Sequence, residues 1–110
     1  EPLRPLAERN APDCTLRDVA GVLRSLDYVA GTVARAEPTT DVRRWCTDAQ
    51  TAFLDGYADV GVDPRSHGPL LTAFVLDKAL YEVVYEARHR PSWLDLPTDA
   101  IDRLLREDRS

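Results

Sequence analysis

The sequence predicts an all-α fold of about four helices in an antiparallel, bundle-like arrangement. Apolar residues recur at three- and four-residue spacing along most of the chain, which is the period of an amphipathic helix. No segment alternates apolar and polar residues with period two over a useful length, so strands are not expected. Prolines and glycines interrupt the apolar pattern at the points where helices would have to end.

The first two helices are predicted from their start signals and their apolar stripes. Residues 1–14 contain three prolines and no periodicity, and are expected to form an extended lead-in. Thr15, with Asp18 three residues later, predicts a helix cap and a first helix over residues 16–36. A second amphipathic helix is expected over residues 41–60.

The third helix is expected over residues 69–89. Pro69 suits its first turn, where a missing N–H costs nothing, and Pro91 prevents its extension. The first half of this helix is apolar nearly all round, which predicts that it forms the centre of the core. Thr98 is then expected to cap a short last helix over residues 99–107.

Composition limits the classes of function that the chain can have. With 110 residues it is long enough for one domain, expected over residues 15–110 after the lead-in. A formal net charge of -5 argues against a nucleic-acid or anionic-membrane partner. No apolar run approaches the roughly 20 residues of a membrane span, and Cys14 and Cys46 are too few for a disulfide framework. We therefore expect reduced thiols and a cytoplasmic location.

The second half of the third helix departs from a plain amphipathic pattern. At about 100° per residue, Lys78, Tyr81, Tyr85 and Arg88 share a sector roughly 80° wide, and Glu82 flanks it. An aromatic ring can pack on the C–H face of a sugar, while nearby charged groups bond its hydroxyls. These side chains also fit ordinary i,i+4 surface pairs. The pattern alone leaves both interpretations open.

The other groups of polar residues do not indicate a catalytic or metal-binding site. His67 and His89 have no Ser or Cys arrangement that indicates nucleophilic catalysis. Asp95, Asp99 and Asp102 lie near the start of the last helix, where the helix dipole favours acids, so no metal site is expected there. The sequence also contains no glycine-rich phosphate loop, dinucleotide fingerprint or zinc pattern. No catalytic, cofactor-binding or metal-binding residue is predicted.

Three stretches of the sequence resemble actinobacterial maltokinases. They are PLAER at 5–9, LRDVAGVLRSLDY at 16–28 and DKALYEVVYEARHRPSWL at 77–94. In that family a block similar to the third stretch closes the chain, and related glucosamine kinases share much of the pattern. The resemblance implies the C-terminal helical subdomain of a bilobal, aminoglycoside-phosphotransferase-like kinase, which has a protein-kinase-like fold.

The resemblance also implies an activity for the parent enzyme. Maltokinases transfer the γ-phosphoryl group of ATP, with Mg²⁺, to the anomeric hydroxyl of maltose, and the maltose 1-phosphate serves glycogen and α-glucan synthesis. Many are fused to or associated with trehalose synthase. The family's catalytic His-Gly-Asp block, its metal-binding Asp-Phe-Glu block and its ATP-binding lobe are missing here, and Glu1 corresponds to a position just after the metal-binding block. The 110-residue piece alone is expected to be inactive and to bind neither ATP nor Mg²⁺.

The same resemblance assigns an acceptor-sugar pocket to five residues. Family members line that pocket from the matching helix, which carries the role over to Lys78, Tyr81, Glu82, Tyr85 and Arg88. Two alternatives remain open at this point. The kinase could act on glucosamine or another sugar instead of maltose, or the chain could be a non-catalytic helical module that binds a protein.

Overall fold

Residues 11–108 are described by a computed structural model, with side chains from Thr15 to Glu107. Within that range the secondary structure is helical and contains no strand, so the predicted all-α fold is confirmed. None of these helices combines the length and the apolar character that crossing a membrane requires. The four α-helices are α1 (Ala11–Ala36), α2 (Val42–Val60), α3 (Gly68–His89) and α4 (Asp95–Asp108), with 3-10 turns at Pro64–His67 and Pro91–Trp93.

Helix α1 contacts the other three helices, and chain direction alternates from each helix to the next. α1 and α3 run parallel, because Gly21 lies beside Lys78 and Arg24 lies beside Glu82 further along both helices. α2 and α4 run against α1. The pairs that show this are Leu23 with Gln50 and Asp27 with Arg43 for α2, and Arg35 with Asp95 and Asp27 with Arg103 for α4.

The apolar core forms where α1 meets its neighbours, in two clusters. The larger contains Leu16, Val19, Ala20, Leu71 and Val75, and the smaller contains Ala30, Val42 and Cys46. The prediction that α3 forms the centre of the core is wrong. Leu71 is buried but its neighbour Leu70 is 42% exposed, since α3 packs on α1 and α4 along one side. The central position belongs to α1.

The predicted start of α1 is also wrong. Residues 11–14 are helical, whereas the sequence predicted an extended lead-in up to residue 14; residues 1–10 of that segment lie outside the described residues. Pro12 is compatible with the longer helix because it lies in the first turn, where an N–H has no helical acceptor. Thr15 and Asp18 therefore lie inside α1 and do not cap it.

A similar correction applies to α4. The helix begins at Asp95 and not at residue 99, and Pro97 is buried in its first turn. The Thr98 hydroxyl donates to the Leu94 carbonyl at 2.9 Å, a bond back along the helix and not a cap. In both corrected helices the first turn contains a proline that the prediction had placed before the helix.

Candidate functional site

An open cavity of about 640 Å³ lies between α1 and α3. The two helices run parallel to each other there. The residues that each contributes are spaced three or four apart, so they lie on the face that meets the other helix. The lining residues are Gly21, Arg24, Ser25 and Tyr28 of α1, Asp77, Lys78, Tyr81, Glu82, Tyr85 and Glu86 of α3, and Arg90 just beyond α3.

Four of the five residues assigned to the sugar pocket line this cavity. They are Lys78, Tyr81, Glu82 and Tyr85. The two tyrosine rings are 73% and 45% exposed, so both remain accessible to a ligand. Arg88 is exposed and does not belong to the lining. The helical face thus holds the four residues together, and α1 covers the edge that carries Glu82.

The Glu82 carboxylate is held from the α1 side by Arg24. Arg24 Nε donates to Glu82 Oε2 at 3.2 Å, and Nη2 donates to Oε1 of the same carboxylate. Arg24 is only 4% exposed, so its charge lies in the wall of the cavity and not at its rim. Hydrogen bonds to both Glu82 oxygens make this a fork-to-carboxylate pair, which fixes the orientation of the carboxylate as well as its position.

Asp27 holds Arg24 in turn. Its Oδ2 accepts from Arg24 Nη1 at 2.6 Å, and its Oδ1 accepts from Arg43 Nη1 of α2 at 2.6 Å. Arg103 of α4 donates to both oxygens at 3.1 Å. One buried carboxylate therefore joins three guanidinium groups from three helices, and Arg24 extends the network to α3 through Glu82.

The ionisation of Asp27 follows from this environment. Burial by itself would raise the pKa of the carboxyl group, but hydrogen bonds from Arg103, Arg43 and Arg24, together with the charge of Arg103, lower the pKa to about 2. The carboxylate is therefore charged at neutral pH. A charged Asp27 is the acceptor that three arginines require, so the network stays intact over the ordinary pH range.

The far end of the cavity contains a second buried carboxylate. Glu86 is 1% exposed, and its two oxygens accept from Arg90 Nε and Nη2 at 2.8 Å each. Hydrogen bonds to Glu86 raise the pKa of the Arg90 guanidinium, outweighing the opposing effect of desolvation. Arg90 Nη2 also lies 3.4 Å from the Tyr28 hydroxyl, which links this pair to α1.

Aromatic side chains surround Arg90. Its Cζ lies 4.7 Å from the centre of the Trp93 ring and 5.9 Å from the centre of the Tyr85 ring. The Tyr28 and Trp93 rings stack with centroids 6.4 Å apart. These contacts are within the range of cation–π and aromatic interactions. Trp93 thus packs against the cavity residues Arg90 and Tyr28.

Lys78 and Asp77 differ from the other charged residues of the cavity. Among the residues that the structure describes, no ion pair or hydrogen bond engages the Lys78 ammonium or the Asp77 carboxylate. Lys78 Nζ instead lies against Gly21, where an added Cβ would be 3.8 Å away. One cation and one anion are therefore available to a ligand, whereas Glu82 and Glu86 already bind arginines.

Sequence reasoning missed the contribution of α1 to the site. Arg24 and Asp27 occur in the inward stripe of α1 between the buried residues Ala20 and Ala30. A charged pair at core positions was a usable signal, because buried charges need partners. The partner Glu82 lies 58 residues away along the chain, and the sequence pattern contains nothing that connects the two positions.

Potential metal-donor side chains are dispersed over the part of the chain that the structure describes. Within residues 11–108, His, Cys, Asp and Glu side chains form no group of three that could hold an ion. Asp95 instead pairs with Arg35, and Asp102 pairs with Arg106. The described residues therefore do not fit a metal centre, and no metal-dependent step is assigned to them.

Comparisons with known proteins relate the chain to sugar kinases. It is 34% identical over 113 residues to a glucosamine kinase of Streptacidiphilus jiangxiensis, an alignment that covers 96% of this chain. It is 31% identical over 116 residues to a glucosamine kinase of Mycolicibacterium smegmatis, covering 99% of this chain. No family model matches the chain.

The two relatives are much longer proteins. This chain spans 26% of the first relative and 29% of the second, so the comparison concerns about a quarter of each kinase. The aligned part takes in nearly all of this chain, including the cavity between α1 and α3. The chain is thus similar, along almost its whole length, to one part of two actinobacterial sugar kinases.

Proposed function

We propose that this chain is the acceptor-sugar-binding part of an ATP-dependent sugar kinase, and that the cavity between α1 and α3 holds the sugar. The observation that carries the proposal is the meeting of Lys78, Tyr81, Glu82 and Tyr85 in one open cavity. Its volume of about 640 Å³ falls within the range of about 300–1,000 Å³ that is usual for small-molecule sites.

The chemistry of the lining suits a polyhydroxylated ligand. Tyr81 and Tyr85 offer apolar ring surface on which the C–H face of a sugar can pack. The Glu82 carboxylate retains acceptor capacity beyond its two bonds to Arg24, and Lys78 offers donors. Arg88 is left out of the proposed site because it does not line the cavity.

Maltose is the first candidate acceptor, with maltose 1-phosphate as the product. The resemblance to maltokinases favours it, and so does the charge of the lining. The cations are Arg24, Lys78 and Arg90, and they balance the carboxylates Asp77, Glu82 and Glu86. A neutral cavity whose buried carboxylates are already paired suits an uncharged disaccharide, since no ligand charge has to be compensated.

Glucosamine is the second candidate acceptor. Both relatives are named glucosamine kinases, and the Asp77 carboxylate has no partner among the described residues. A protonated sugar amine could therefore bind Asp77 without breaking an existing ion pair. The two candidates differ in one testable respect, because only glucosamine needs the charge of Asp77.

The proposal assigns to this chain the binding of the acceptor sugar and no other step of the reaction. Phosphoryl transfer needs a positioned base and metal-held phosphates, and the described residues do not supply a metal site. ATP, Mg²⁺ and the base are proposed to belong to other parts of a longer kinase, towards which the cavity orients the reacting hydroxyl. An association with trehalose synthase and a cytoplasmic location belong to the same proposal.

Isothermal titration of the chain with maltose and with glucosamine tests the proposal. We expect Tyr85→Ala to weaken the preferred sugar about tenfold, or about 1.4 kcal/mol, through loss of ring packing. Trp45→Ala is the matched control, because Trp45 is 48% exposed but lies outside the cavity. An equal effect of the two substitutions, or binding of neither sugar, would contradict the proposed site.

Sugar binding by a second variant, Asp77→Asn, distinguishes maltose from glucosamine as the preferred acceptor. Asp77→Asn removes the charge but keeps the size of the side chain. If glucosamine is the acceptor, we expect this substitution to weaken glucosamine binding about tenfold and to leave maltose binding unchanged. Tighter binding of maltose than of glucosamine, with no effect of Asp77→Asn on maltose, would assign maltose.

A further inference from the structure

We infer that Arg24 is a positioning residue that orients the Glu82 carboxylate for the ligand, and that Asp27 anchors Arg24 for this task. The inference rests on the proposed function, since it concerns the same cavity. It adds a role for two α1 residues that neither the helical pattern of α3 nor the resemblance to sugar kinases assigned. Neither residue is proposed to react with the substrate.

The first support is the way in which Arg24 uses its donors. Arg24 Nε and Nη2 both donate hydrogen bonds to Glu82, and Nη1 donates one to Asp27. All three guanidinium nitrogens are therefore engaged, and the planar group is held from two sides. A guanidinium fixed in this way restricts the position and tilt of the carboxylate that it binds.

The second support is the accessibility of the two partners. Arg24 is buried, while the Glu82 side chain is 23% exposed and lines the cavity. The ligand can therefore reach Glu82, and the ligand-facing carboxylate is held from behind by a residue of another helix. This is the arrangement expected of a supporting residue, which fixes the orientation of the group that the ligand contacts.

The third support is the anchoring of Asp27. Arg43 and Arg103 lock this carboxylate from α2 and α4, and the low pKa of Asp27 keeps it ionised. Arg24 consequently cannot turn away from Glu82 without breaking a network that spans all four helices. Pre-organisation of this kind reduces the entropy that the cavity side chain loses when a ligand binds.

A purely structural salt bridge makes a different prediction from a positioning residue. A structural role would lower stability when Arg24 is changed, but the remaining folded protein would bind the sugar normally. A positioning role requires that Arg24 affects sugar binding only by orienting Glu82, so that the effects of changing the two residues are not additive. The two roles separate in a double-mutant cycle that measures sugar affinity and stability side by side.

The experiment measures the Kd for the preferred sugar and the urea unfolding curve of the wild-type chain, Arg24→Lys, Glu82→Gln and the double variant. Arg24→Lys keeps the charge but loses the fork. We expect it to weaken sugar binding about tenfold, and we expect the double variant to bind no worse than Glu82→Gln alone. Arg65→Gln is the control, because Arg65 pairs with Asp55 and Asp63 away from the cavity, and we expect it to leave the Kd unchanged.

A second measurement keeps the inference testable if Arg24→Lys does not fold. The Nε–H resonance of Arg24 in the wild-type chain reports the bond to Glu82 directly. We expect it to exchange slowly with solvent and to shift on saturation with the sugar. A wild-type Kd for folded Arg24→Lys, additive losses in the double variant, or an Arg24 resonance that ignores the sugar would each overturn the inference while leaving the proposed function standing. A wild-type chain that binds neither maltose nor glucosamine would overturn the proposed function, and the inference with it.

Discussion

The interface between α1 and α3 changes its chemistry halfway along. Its first half is apolar and closed, whereas its second half is charged and opens into the cavity. The buried residues of the first half are Leu16, Val19 and Ala20 of α1 and Leu71 and Val75 of α3. In the second half the buried residues include the charged Arg24 of α1 and Glu86 of α3, beside Ala79 of α3.

The apolar first half is expected to contribute more to the free energy of unfolding than the charged second half. Apolar burial contributes free energy directly, at roughly 25 cal/mol per Å². Buried ion pairs repay much of their own desolvation cost and add little net stability, although removal of one partner is expensive. Stability alone would favour continuing the apolar pattern beyond Ala20. The proposed function accounts for the charged second half as the side of a cavity that holds polar groups.

The largest effect is expected for Asp27→Ala, which leaves three arginines without their shared acceptor. We expect the free energy of unfolding to fall by about 3–5 kcal/mol, the size found when a buried ion pair loses one partner. Asp55→Ala is the control, because Asp55 pairs with Arg65 at an exposed site and should cost less than about 1 kcal/mol. Urea unfolding measures both, and equal losses would mean that the Asp27 network is energetically no different from a surface pair.

A smaller loss is expected in the apolar half. Leu71→Ala should reduce the free energy of unfolding by about 2–4 kcal/mol, because Leu71 is buried against α1. Its neighbour Leu70 is 42% exposed, so Leu70→Ala should cost less than about 1 kcal/mol. Sugar affinity of the folded Leu71→Ala protein should equal that of wild type. A tenfold loss of affinity in that variant would show that the two halves are not separate in function.

The smallest effect concerns pH. The pKa of Asp27 is lowered from 3.8 to about 2 in the folded protein, so its contribution to stability is present above pH 4 and is lost as pH falls through 2. We expect the Asp27 network to contribute about 2 kcal/mol less at pH 2 than at pH 5. The measurement is the difference in unfolding free energy between wild type and Asp27→Asn at each pH. A difference that stays constant from pH 5 to pH 2 would contradict this assignment of the charge.

Local periodicity predicted the helical class and a shared sector for Lys78, Tyr81, Tyr85 and Arg88, with Glu82 at its flank. It could not predict which edge of that face another helix covers, since this depends on tertiary packing. Arg88 was grouped with the others but lies outside the cavity lining, whereas Asp77, which is further round the helix on the same side, lines the cavity. Packing of α1 along the Glu82 edge decides which residues line the cavity.

The positions missed by sequence reasoning share a physical cause. Arg24 meets Glu82 across 58 residues, and Asp27 meets Arg103 across 76, so no local pattern connects them. The predicted starts of α1 and α4 were wrong for a different reason. Pro12 and Pro97 were placed before the predicted helices, but a proline is tolerated in a first turn because the N–H that it lacks would have no helical acceptor there.

A sugar titration followed by amide NMR tests the central claim most directly, because it shows where on this chain the ligand binds. We predict that maltose or glucosamine shifts the amide and side-chain signals of residues 21–28 and 77–90, on both sides of the cavity. The cavity of about 370 Å³ near Tyr57 and His67 should remain unaffected and serves as an internal control. Shifts confined to that second cavity, or no shift with either sugar at saturating concentration, would contradict the account.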